Sequence, residues 1–214
     1  MKTILSLAFT ILMWDAAAQL NDSVFQYKTA VSVSPLAVIG MDYTALFGVE
    51  HRLKNKLSLT LDLGYVFYST YLGRTVVNGT SGFNVRPGIK VYGKADKRSY
   101  VQFTIFYKHV NYKVYDWLGM GCVNGIPTYE KLQDFTFRKK TVSFNAISGR
   151  IFRLTDHILL EVYGGLGVKI KDQHPTEAAA CYLNNEGGIF GRAFQEHRVS
   201  ANVPVGVKMV IAVN

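Results

Sequence analysis

The stretch LSLTLDLGYVFY, residues 57–68, sets Leu57, Leu59, Leu61, Leu63, Tyr65 and Phe67 on alternate positions. Ser58, Thr60, Asp62, Gly64 and Tyr68 fall between them, and Val66 is the one apolar intruder. Successive side chains of a strand point to opposite faces, so one face of this segment needs an apolar medium and the other a polar one. A period of two over this length excludes a helix and requires a sheet. Eight stretches of this kind recur, at roughly 25–35, 43–53, 57–69, 81–93, 99–113, 140–153, 158–171 and 199–213.

The connections between them sort by length. Residues 54–56, 94–98 and 154–157 make short turns, whereas 70–80, 114–139 and 172–198 are long, and the first connection, 36–42, is modest. Short and long alternate in strict order. Outer-membrane barrels have an even strand number, short periplasmic turns and longer external loops. The pattern predicts an all-β fold, an eight-stranded antiparallel up-and-down transmembrane β-barrel, with its long loops outside the cell.

Residues 1–18 read as a signal peptide. Lys2 gives the positive start, 3–14 the apolar run, and Ala16, Ala17 and Ala18 a small-residue cleavage site. The expected domains are therefore a leader, 1–18, and a barrel, 19–214, located in a bacterial outer membrane after export. The apolar run at 31–49 contains Pro35, Gly40 and Asp42, which break a membrane helix, so it reads as strand, bend, strand. The formal net charge of +9 survives removal of the leader, because Lys2 and Asp15 leave together. In an exported chain this basic balance points to turns facing lipid head groups rather than to nucleic acid. Expected partners are outer-membrane lipids and lipopolysaccharide, the expected state is a monomer, and no cofactor or metal is expected.

The facing pattern extends to other strands. At 81–94, Phe83, Val85, Pro87, Ile89 and Val91 share the apolar face, and Asn84, Arg86, Lys90 and Tyr92 the polar one. At 158–171, Glu161, Tyr163 and Lys169 oppose Ile158, Leu160, Val162, Leu166, Val168 and Ile170. Segment 140–153 conflicts with itself: Phe144 and Ala146 favour one register, Ile147 and Ile151 the other, and a β-bulge would reconcile them. Tyr65, Phe67, Phe83 and Tyr107 converge on the outer end as an interfacial girdle, with Phe25 and Tyr27 serving the periplasmic level.

Eight strands enclose a space that side chains fill. Charges in such a space need partners, so Glu50, Asp62, Arg86, Lys90, Glu161 and Lys169 are expected to form a lumenal ion-pair network and close off any large pore. Cys122 and Cys181 fall in two expected external loops and could form a disulfide in an oxidising compartment or remain free thiols. None of His51, His109, His157, His174 and His197 has ligand spacing to a second His or Cys. His109 lacks a Ser or acid placed for catalysis, so no catalytic residue is assigned. The apolar loop 114–139 offers Trp117, Met120 and Tyr129 as an external binding patch.

The runs GVEHRLKNKLSLTLDLGY, FNVRPGIKVYGK and ILLEVYGGLGVK, across most of 43–171, resemble the uncharacterised outer-membrane β-barrel proteins common in Bacteroidetes-type bacteria. The shared features are an acid and an Arg before the first short turn (Glu50, Arg52), a basic residue before an aromatic (Lys90, Tyr92), and an acid before Gly-x-Gly (Glu161, Gly165, Gly167). The chain departs from many outer-membrane barrels in ending Ile211-Ala212-Val213-Asn214 rather than in an aromatic. The resemblance implies a fold and a location but no activity. The expected role is structural or surface-binding, without enzymatic chemistry. The alternatives are an outer-leaflet lipid-modifying enzyme and a soluble exported barrel carrying an apolar ligand.

Overall fold

The computed structural model describes residues 27–38, 42–54, 56–69, 77–93, 98–123, 126–176, 180–181 and 197–213. The expected leader, Phe25 and most of 172–198 lie outside these residues. The strands are β1 Thr29–Val33, β2 Asp42–Lys54, β3 Leu57–Ser69, β4 Val77–Tyr92, β5 Ser99–Met120, β6 Tyr129–Arg153, β7 Ile158–Pro175, β8 Ala180–Cys181, β9 His197–Asn202 and β10 Val205–Val213. A 3-10 turn, Pro35–Val38, follows β1.

All pairings are antiparallel, and from β1 to β7 each strand pairs with the next in sequence. β10 pairs with both β1 and β7, which closes the sheet into a ring. β9 and β10 occupy successive stretches of the same β7 edge, at Gly167–Asp172 and Ile158–Gly164, and are separated by Val203 and Pro204. Pro lacks a ladder donor, which explains the break. Closure leaves no long open edge, the main hazard of a β-sheet.

The two faces of the ring have inverted polarity. Leu61 and Ile89 are 42% and 47% exposed on the outer face, whereas Asp62 and Lys90 are 2% and 1% exposed within. Ser58, Thr60, Gln102, Thr104, Ser143 and Asn145 join them inside. Outside stand Phe47, Leu59, Phe103, Ile105, Phe144, Val168 and Val205.

Several expectations need correction. Segment 140–153 pairs with β5 without a register shift, so it has no bulge. Phe144 points out, while Ile147 and Ile151 are buried inside. The inner face is not uniformly polar: Ile151, Tyr27, Ala30, Tyr92, Tyr100, Leu159 and Val210 form an apolar floor near the short turns. Tyr27 belongs to that floor rather than to an outer girdle. It precedes the first residue of β1, so strand alternation does not carry it outward, and the Arg52 guanidinium lies 5.0 Å from its ring centroid.

The expected loop 114–139 is instead mostly strand. β5 runs to Met120 and β6 begins at Tyr129, so the hairpin extends well beyond its neighbours. The inward positions there are apolar, with Val110, Tyr112, Val114, Leu118, Phe135 and Phe137 buried together with Val66 of β3. The outward positions beside them include Asn111, Lys113, Asp134, Thr136 and Arg138, so the contrast that marks the other strands is reversed here. In the same way, β4 begins at Val77 and β7 continues to Pro175, shortening the expected loops 70–80 and 172–198.

Close packing inside the ring relies on small residues opposite large ones. Gly149 faces Tyr100 across β5 and β6, and a Cβ there would run into the Tyr100 ring. Gly206 faces Tyr163 in the same way. Gly149→Val is expected to displace Tyr100 and cost about 1–3 kcal/mol, as overpacking does. Urea unfolding followed by circular dichroism checks this, and Tyr100→Ala combined with Gly149→Val should cost less than the sum of the single changes.

Candidate functional site

The interior ion pairs are built from alternate positions of non-adjacent strands. Lys90 on β4 donates to Glu50 Oε2 on β2 and to Glu161 Oε2 on β7, each at 2.8 Å. Its Nζ also lies 4.4 Å from the Tyr100 ring centroid. The remaining carboxylate oxygens are taken from the floor: the Tyr92 hydroxyl donates to Glu50 Oε1, and the Tyr100 hydroxyl to Glu161 Oε1 at 2.6 Å. Lys208 on β10 donates to both oxygens of Asp62 on β3, at 2.9 and 2.8 Å. Arg86 stands 3.7 Å from Asp62 Oδ2 and 3.4 Å from the Tyr163 hydroxyl.

Glu50, Asp62 and Glu161 are thus matched by Arg86, Lys90 and Lys208, and the middle of the interior is neutral. Removing one partner from a buried pair costs far more than the pair itself is worth, because the other charge is left without compensation. Gly48 makes room for the crossing, since a Cβ there would occupy the position of the Asp62 carboxylate. The cavity between these groups and Ala30, Ser32 and Val210 is about 10 Å³, space for one water at most. A water-filled bore at this level is therefore absent among the described residues.

Five of the six residues expected in the network come together, namely Glu50, Asp62, Arg86, Lys90 and Glu161. Lys169 does not join them. It sits on the inner face of β7 beside Ser143 of β6 and makes no ion pair among the described residues. The reason is height along the strand: eight residues separate it from Glu161, which places it several rows above the neutral cluster.

A second group lies higher. Asp42, the first residue of β2, accepts from Lys108 of β5 at 2.7 Å and from Lys139 of β6 at 3.2 Å. Ser69 and Tyr112 hydroxyls donate to its other oxygen, at 2.6 and 3.0 Å. Sequence reasoning treated Asp42 as a helix breaker in a bend and missed this role. The signal was its position one residue before an alternating run, in phase with Thr44, Leu46 and Glu50 on the inner face. The hydroxyls of Tyr92 and Tyr100 were also missed as acid partners.

The expected external patch does not form one surface. Trp117 pairs across the hairpin with Leu132, and Met120 with Tyr129. An odd spacing along β5 puts Trp117 and Met120 on opposite faces. Trp117 and Tyr129 are exposed, whereas Met120 packs against the buried apolar cluster of the hairpin. The short strand β8 adds to the other edge of β5, pairing Gly119 with Cys181 and Met120 with Ala180. Cys122 is disulfide-bonded. His109 packs against Phe83 with ring centroids 5.8 Å apart, and Lys140 is its cross-strand partner on β6. Among the described residues no group of His, Cys, Asp and Glu is arranged to hold a metal.

A shallow apolar groove of about 1120 Å³ runs over outward side chains that include Leu59, Leu61, Ile89, Phe103, Phe144 and Val168. No protein-family model and no curated protein matches the chain.

Lys90→Met would leave Glu50 and Glu161 facing each other without a cation. The expected loss is about 3–5 kcal/mol of unfolding free energy in urea. Combining it with Glu50→Gln and Glu161→Gln should recover most of that loss, since no uncompensated charge then stays buried.

Proposed function

We propose that this chain is a small bacterial outer-membrane β-barrel of eight strands, with a structural or surface-binding role and no enzymatic chemistry. The observation that carries the reading is the inverted polarity. In a water-soluble ring the apolar side chains fill the interior. Here Leu61, Ile89, Phe103 and Val205 stand outside while Asp62, Lys90 and Glu161 are buried. Such an outer surface is stable only in an apolar medium, and a closed antiparallel ring satisfies its backbone groups internally, as a bilayer demands. No helix among the described residues is long and apolar enough to span a membrane, so strands would make the crossing.

The level of the bilayer follows from the outer aromatics. Tyr65 pairs with Phe83, and Phe83 lies 5.9 Å from Tyr107 between ring centroids. These residues would mark the outer lipid interface, with lipopolysaccharide above them. The resemblance to Bacteroidetes-type barrels and the reading of 1–18 as a cleaved leader belong to this proposal. The small interior void and the ionic crossing support a filled lumen rather than a large pore. They also argue against carriage of an apolar ligand, which needs an apolar interior. The hairpin of β5 and β6 would project outside the cell, and a bond between Cys122 and Cys181 would clamp the following segment to its edge. Trp117 and Tyr129 are its exposed anchors for a partner.

Two measurements test the reading. Unboiled protein from membrane fractions should migrate faster in electrophoresis than boiled protein, and protease added to intact cells should cut near 121–128. Leu61→Arg should destabilise the protein in lipid vesicles by about 2–4 kcal/mol. A water-exposed position would tolerate it within about 0.5 kcal/mol, and that result would remove the membrane reading.

A further inference from the structure

The outward face of β5, β6 and β7 changes character within one row. Ile105, Phe144 and Val168 are cross-strand neighbours, and so are Tyr107, Val142 and Ile170 in the row above them. The next row up holds His109, Lys140 and Asp172, and the one after it Asn111, Arg138 and His174. Lys113 follows, opposite Thr136. Along each strand these residues keep phase with the apolar ones below, so they stand on the same outer face. The change falls at the level of Phe83 and Tyr107, whose ring centroids lie 5.9 Å apart.

Lys113, Arg138 and Lys140 meet in these rows. Rows are about 7 Å apart and strands about 5 Å, so the three side chains can reach one group between them. None of the three makes an ion pair among the described residues. Asp172 stands opposite Lys140, with its Oδ1 3.5 Å from Nδ1 of His174. Asp134 lies one row beyond Lys113, opposite Tyr115. A second observation is independent of the charge count. The Nε of Arg138 is buried and has no hydrogen-bond partner among the described residues. An exposed lysine can be left to water, but a buried guanidinium nitrogen needs an acceptor.

We propose that Lys113, Arg138 and Lys140 on the outward face of β5 and β6 hold a phosphate monoester on the headgroup of an outer-leaflet glycolipid. The inference rests on the membrane reading and names the lipid that the barrel retains. Arg138 supplies a planar fork for two phosphate oxygens, and Lys113 and Lys140 supply point charges. A phosphate monoester carries about −1.5 to −2 at neutral pH, more than a phosphodiester does, and so suits three cations beside one acid. The shallow apolar groove includes Ile105, Phe144 and Val168. It begins about 13 Å below Lys140 along β6, where the acyl chains of the same lipid would lie. A phosphate without acyl chains would gain nothing from that groove.

Native mass spectrometry of the full-length protein, folded in zwitterionic detergent, tests the proposal. The probes are lipid A with its phosphates, the same lipid with its phosphates removed, and phosphatidylglycerol, a phosphodiester. EDTA is present, so that no metal bridges a phosphate to Asp172. Intact lipid A is expected to bind about tenfold more tightly than either of the others. Arg138→Gln/Lys140→Gln should abolish that preference, and Lys54→Gln, a change at an exposed turn, should keep it. A fast-migrating unboiled form confirms that each variant is folded, and Arg138→Gln alone replaces the double variant if that form is absent. Equal binding of the dephosphorylated lipid would reduce the site to its groove and overturn the proposal. Equal binding of phosphatidylglycerol would reduce it to a general anionic-lipid surface and overturn it too, as would a preference retained in the folded variant. A protein that inserts into vesicles but does not discriminate among the three lipids loses this site and keeps the membrane reading.

Discussion

Lys90 is the constraint around which the rest of the chain is arranged. Its ammonium is out of water and touches Glu50 and Glu161 at 2.8 Å on strands from two other parts of the ring. Such a group survives only if both carboxylates stay in place and their remaining oxygens are occupied. Tyr92 and Tyr100 occupy them from below. Once these residues point inward, alternation along each strand fixes where their neighbours go. Ile89 and Val91 on β4, Val49 and His51 on β2, and Leu160 and Val162 on β7 must then face outward. The ionic interior and the apolar exterior are one fact about the sequence, expressed on two faces.

The same arrangement limits what the molecule can do. Side chains fill the middle of the ring, and the aromatic floor closes the end near the short turns. At the other end β5 and β6 extend past their neighbours and carry Trp117, Tyr129 and the Cys122 disulfide.

Much of this was legible in the sequence because the period of two is strong wherever one face is polar. The stretches at 57–69, 81–93 and 158–171 appear in the structure close to the bounds that alternation implied. Glu50, Asp62, Arg86, Lys90 and Glu161 could be assigned inward by parity alone. What parity could not supply was height. Lys169 shares a face with Glu161 but sits too far along β7 to meet the acids. Asp42 and Lys139 meet only because β2 and β6 lie across the ring from each other. The upper hairpin was misread for a different reason: Val110, Tyr112, Val114, Phe135 and Phe137 face inward as apolar residues while Asn111, Lys113, Asp134, Thr136 and Arg138 face outward, the reverse of the pattern in the other strands. Ile147 and Ile151 suggested a bulge because they are buried apolar residues on the same inner face as Thr141, Ser143 and Asn145, and Ile151 belongs to the apolar floor.

The central claim is that odd positions of β3 meet an apolar medium and even positions meet the packed interior. Spin labels placed singly at residues 57–66, in a background with Cys122→Ser and Cys181→Ser, would report it by electron paramagnetic resonance in lipid vesicles. The account predicts that labels at Leu59, Leu61 and Leu63 collide with dissolved oxygen and not with a water-soluble nickel reagent, while labels at Ser58, Thr60 and Asp62 meet neither. Nickel collisions at Leu59, Leu61 and Leu63 would place that face in water and contradict the account.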